Sequence, residues 1–70
     1  MKRTLLIDPI VYLQIHISRL FMEANGLSVN DFLILDNKKD ILGFLRTGYE
    51  IFHLTGDDGI LEEIDNYISQ

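Results

Sequence analysis

Apolar residues recur at three- and four-residue steps along most of this chain, and the breaks between the runs carry helix-end chemistry. Ile10, Leu13, Ile17, Leu20, Phe21 and Ala24 fall on one helical face. Val11, Ile15 and Met22 broaden that stripe beyond what one packed neighbour covers. Asp8-Pro9 supplies a start: the aspartate accepts from orphan backbone N–H groups, and proline, lacking an N–H, suits the first helical position. Asn25-Gly26 supplies a stop, because both residues tolerate the left-handed conformation that closes a helix. The pattern predicts a helix over 9–25. The run "IVYLQIHI" is rich in β-branched residues and partly alternates, so a strand is the competing reading there.

Three further helices follow from the same logic. Ser28 and Asp31 have capping-box spacing, and Val29, Phe32 and Leu33 form one face of a short helix over 29–36. Asp40 can cap a helix over 40–53, with Ile41, Phe44 or Leu45, Gly48 and Phe52 inward. Gly43 and Gly48 inside it cost about 1 kcal/mol each relative to alanine. They either admit a close neighbour or mark a bend. Over 57–68, Ile60, Leu61, Ile64, Tyr67 and Ile68 oppose Glu62, Glu63, Asp65 and Asn66.

The joint before that last helix reads "HLTGDD". Thr55 is three residues before Asp58, so its hydroxyl is expected to accept from the Asp58 N–H while the carboxylate returns to the Thr55 N–H. Acids in the first turn also suit the positive end of the helix dipole. Gly56 can instead close the preceding helix in a left-handed conformation. Either way the stretch is a structural joint, with His53 against terminal carbonyls. The fold expected is all-α, a compact bundle of about four short helices forming a single domain over 1–70.

Bulk properties narrow the function classes. A chain of 70 residues buries only about 60% of the surface its unfolded form exposes. It has no cysteine, so neither a disulfide framework nor a cysteine zinc site is available. With 47% hydrophobic residues, it carries more apolar surface than one small core hides. The net charge is −5, and Glu50, Asp57, Asp58, Glu62, Glu63 and Asp65 follow Arg46 with no Lys or Arg among them. Such a face repels phosphate, so neither nucleic acid nor an anionic membrane is the expected partner. It suits a basic protein surface or simply a solvated helix face. The start "MKRTLLIDPIVYL" is like a signal peptide, but Asp8-Pro9 interrupts the apolar run and no small-residue cleavage site follows. No run approaches the ~18 apolar residues of a membrane helix. A cytoplasmic protein is expected.

Site chemistry is sparse. With Gly59 as the turn glycine of a calcium loop, Leu54 and Gly56 would occupy positions that require acids. Glu50-Ile51-Phe52-His53 is a Glu-x-x-His pair of the kind that di-iron bundles project inward, but a complete site needs a second pair from another chain. His16 has no glutamate three residues earlier and reads as a core or interface histidine. Ser18, Ser28 and Ser69 lack a nucleophile-elbow context, and the glycines match no phosphate-binding loop. No catalytic residue, metal ligand or cofactor is expected.

The features "IVYL", "GLSVNDF", "FHLTG" and "ILEEIDNYI" resemble a family of short helical bacterial proteins classed as a domain of unknown function. Its tail is similar to "LHTTG…YIVEDIDEYI". The matching positions are Ser28, Asp31, His53, Thr55, Gly56, Ile60, Glu63, Ile64, Asp65, Tyr67 and Ile68. Leu54 replaces a frequent threonine, and Gly59 stands where an aromatic is usual. No activity accompanies the resemblance, so it transfers no catalytic role. Genes of that family often neighbour those of ADP-ribosyltransferase-like proteins, which implies a small antitoxin-like partner. The expectation is a non-enzymatic protein-interaction module, a homodimer or a protein's partner, with Tyr12, Ile15, Phe21 and Tyr67 in contact. The alternative is a homodimeric metal-binding bundle using Glu50 and His53.

Overall fold

The computed structural model describes residues 8–70, so the part of the signal-peptide comparison that falls on "MKRTLLI" lies outside the described residues. Every regular element among them is helical: α1 (Pro9–Asn25), α2 (Val29–Lys39), α3 (Ile41–Thr47), α4 (Tyr49–Phe52) and α5 (Asp57–Ile68). The first helix forms as its end signals require. Asp8 Oδ1 accepts from the Ile10 N–H at 2.8 Å, and Gly26 closes the helix at φ 63°. "IVYLQIHI" is wholly helical, which removes the strand reading. An uncapped strand edge would have left that run's backbone groups unpaired, whereas Asp8 and Gly26 close both ends of a helix.

α2 opens with the expected box. Ser28 Oγ accepts from the Asp31 N–H at 3.0 Å, and Asp31 Oδ2 accepts from the Ser28 N–H at 3.3 Å. The helix then runs past the expected 36 to Lys39. Lys38 and Lys39 complement the negative end of its dipole, and Asp40 closes it in the left-handed region at φ 53°. Aspartate is among the few side chains that visit that region readily. Asp40 also opens α3, its Oδ1 accepting from the Gly43 N–H at 3.1 Å. A Cβ on Gly43 would lie 2.2 Å from Asp40 Oδ2, so glycine there makes room for the cap. Asp36 adds a second tie by accepting from the Leu42 N–H at 2.8 Å.

The helix expected over 40–53 is two pieces. Gly48, at φ −91° and ψ 7°, separates α3 from the single turn of α4. A Cβ at Gly48 would fall 2.4 Å from Phe52 Cε2, so the bare glycine accepts the Phe52 ring. That ring turns inward against Phe44, with centroids 5.4 Å apart.

α1 packs against α3 and α5, and α3 contacts α2 and α4. Leu13, Ile17 and Phe21 present one stripe of α1 to the core, which Ile41 and Leu45 of α3 and Ile60 and Ile64 of α5 complete. Phe32 and Phe52 close it from α2 and α4. Of the stripes read from the sequence, that of α2 departs most: Phe32 is buried, but Val29 and Leu33 are exposed. Ala24 is also exposed, one turn beyond the buried part of α1. Tyr67 joins α5 to the α2–α3 junction by donating its hydroxyl to the Lys39 carbonyl and stacking on Phe44 at 4.1 Å. His16 is half-buried at the α1–α5 contact instead of in the core, with Nε2 3.1 Å from Asp57 Oδ2. Its ring lies parallel to that of Tyr12.

Candidate interaction surface

The expected contact residues separate into two groups. Tyr12 and Ile15 stand on the outer side of α1, 59% and 60% exposed. Phe21 is in the core, 3% exposed, edge-on to Phe32. It follows Ile17 by four residues, and that spacing continues the inward stripe of α1. Tyr67 is half-buried, and its hydroxyl already serves α2. The first pair therefore belongs to a surface and the second to the packing.

Ile15 borders an apolar groove of about 510 Å³ between α1, α2 and α3. Met22, Val29, Phe32 and Leu42 share its lining, with Arg19 at the edge. The groove exists because α2 turns only Phe32 fully inward and leaves Val29 beside α1 with no apolar cover. Gln14 ties α1 to α3 by donating its amide to the Leu42 carbonyl at 2.8 Å. Ser18 also borders the groove; it is 7% exposed, and its hydroxyl has no hydrogen-bond partner among the described residues. A buried hydroxyl without a partner costs roughly 1–3 kcal/mol.

"HLTGDD" is a joint, but neither expected capping arrangement is present. Thr55 Oγ1 donates to the Ile51 carbonyl at 2.9 Å, and the Thr55 N–H donates to the Phe52 carbonyl at 2.9 Å. Both tie Thr55 to the end of α4, so it is unavailable as a cap for α5. The N-cap is Gly56, extended at φ −68° and ψ 159°, with no side-chain cap. This also overturns the left-handed assignment of Gly56. Asp58 is exposed in the first turn of α5 and makes no box with Thr55. Asp65 is exposed near the other end, where its carbonyl accepts from the Ser69 hydroxyl at 2.9 Å.

His53 meets a terminal carbonyl as expected: Nδ1 is 2.9 Å from the Tyr49 oxygen, and the ring stacks on Tyr49 at 4.8 Å. Glu50 is exposed on the same turn. Among the described residues, no three His, Cys, Asp or Glu side chains converge as a metal site within one chain. None of the described helices is long and apolar enough to cross a membrane.

These helices, from the middle of α1 to the last residue, coincide with a known family. The model of "Protein of unknown function (DUF3791)" matches residues 17–70. The chain belongs to DUF3791. The match spans the later half of α1, the Ser28–Asp31 box, the split α3–α4 segment and all of α5. No curated protein and no solved structure matches the chain. Tyr12 and Ile15 precede the matched span, so membership says nothing about them, and of the two Ile15 borders the groove. The groove itself was not legible in the sequence, because it depends on which side chains of α1 and α2 the packed fold leaves uncovered. The excess of apolar positions on α1 was its one signal.

Proposed function

We propose that this DUF3791 member is a non-enzymatic protein-interaction module that docks a partner on the groove between α1, α2 and α3. The observation that carries the reading is the set of exposed apolar side chains on that groove, with Ile15 60% and Val29 63% exposed. Contiguous apolar surface of this kind marks interaction sites in soluble domains. Arg19 at its edge offers a charged contact that orients a partner without contributing most of the affinity. The non-enzymatic part rests on how the polar side chains are used. Asp8, Ser28, Asp31, Asp40, His53 and Thr55 all engage nearby backbone groups at helix ends.

The resemblance of the tail to proteins encoded beside ADP-ribosyltransferase-like proteins supports such an enzyme as the proposed partner, held in an antitoxin-like complex. Co-expression of the two chains tests this directly. The expected result is co-purification and relief of the enzyme's growth defect. Ile15→Asp combined with Val29→Asp should abolish both effects while leaving the helical circular dichroism unchanged. Growth relief that persists in the double variant would sink the assignment of this groove. Failure of the wild-type chains to co-purify would sink the partner.

A further inference from the structure

A second groove lies between α4 and α5 and shares no lining residue with the first. We propose that it docks a basic, amphipathic segment of a protein partner, seating an apolar side chain beside Ile51 while cations meet Glu62 and Glu63. The inference rests on the interaction-module reading only in taking a protein as the occupant.

Two glycines let its walls pack closely. The missing Cβ makes room for the Phe52 ring at Gly48 and for the Thr55 methyl at Gly59, and both glycines still border the groove. The resulting groove holds about 480 Å³, with Phe44 and Phe52 beneath and Ile51 at its edge, 71% exposed. That volume accommodates an apolar anchor.

The rim decides what carries the anchor. Glu62 and Glu63 border the groove and are exposed. They belong to a run of six acids after Arg46 that includes no Lys or Arg. Of these acids, Asp57 alone has a side-chain hydrogen-bonding partner for its carboxylate among the described residues, in His16. Two carboxylates beside an apolar floor disfavour phosphate, which excludes nucleic acid and anionic lipid. The floor also disfavours a hard cation, which requires oxygen on most sides. A segment with an apolar stripe flanked by Lys or Arg satisfies both parts of the surface. A second copy of the chain brings its own net charge of −5, which opposes that association.

The test uses the full chain with three synthetic probes: an amphipathic leucine–lysine peptide, its scrambled isomer and a leucine–glutamate peptide. Fluorescence anisotropy measures binding, and amide resonances locate it. The ordered leucine–lysine peptide should bind, weaken as salt rises from about 50 to about 200 mM, and shift resonances around Ile51, Thr55 and Gly59. E62Q/E63Q should weaken it about fivefold or more, and Ile51→Ser should weaken it without altering the thermal melt. Equal binding of the scrambled isomer would overturn the proposal, because charge alone would then suffice. Shifts centred on Ile15 and Val29 would overturn it as well. Self-association of the chain that E62Q/E63Q removes would make the occupant a second copy and also defeat it. Capture of the enzyme partner at Ile15 and Val29 without peptide binding here would remove this site and leave the earlier reading intact. The converse result would do the opposite.

Discussion

Ser28–Asp31 and Thr55–Asp58 have the same spacing of a hydroxyl residue and an acid, yet one forms a capping box and the other does not. The difference lies in the residues before them. α1 is already closed by left-handed Gly26, so Ser28 is free to be extended, at φ −78° and ψ 167°. At the second joint α4 is a single turn with His53, not glycine, directly after it, and Thr55 is drawn into closing it through Ile51 and Phe52. The cap position of α5 then moves one residue on, to Gly56, which has no side chain to offer. The pattern permits a box, but the end of the preceding helix decides whether the hydroxyl is free.

If the second joint is held by packing and the first by its cap, their mutational costs differ. The largest effect belongs to Phe52→Ala. Removing a ring that is 6% exposed and seated on Gly48 should cost about 3–5 kcal/mol in urea denaturation. A cost no greater than that of a lost cap would break the comparison. Ser28→Ala should come next, at about 0.5–2 kcal/mol. Gly26→Ser and Gly56→Ser should then shift thermal melts in opposite directions. The first forces serine to φ 63° and should cost about 1 kcal/mol. The second places serine at an extended, unobstructed N-cap and should gain about 0.5–1 kcal/mol. Loss of stability in Gly56→Ser would mean that Thr55 caps α5 after all. The smallest effect is expected for Thr55→Ala, below about 0.5 kcal/mol, because the freed Ile51 carbonyl can turn to water at an exposed site.

Legibility in the sequence followed how local each interaction is. Asp8, Gly26 and the Ser28–Asp31 box were readable because every partner lies within four residues. Asp40 was readable as a start for α3 but not as the end of α2, since its left-handed backbone depends on Lys38 and Lys39 extending that helix. Among the expected contact residues, Tyr12 and Ile15 are on the surface, whereas Phe21 points into the core. An amphipathic stripe identifies the apolar face of a helix but not where a neighbour stops covering it. Tyr67 shows a related limit: its hydroxyl finds Lys39, 28 positions away, and no local pattern encodes that bond.

The sequence by itself determined the helical class, both bounds of α1 and the acid-only character of the last third, because each follows from contacts or charges within a few residues. Tertiary structure alone decided the break at Gly48, the identity of the α5 cap and the existence of both grooves. The break follows from the Phe52 ring, which needs space that only a bare backbone provides once α3 is packed on α1. The grooves follow from which side chains the packed helices leave uncovered. That is set by how unequal side chains fill one shared core, and it depends on all the elements together.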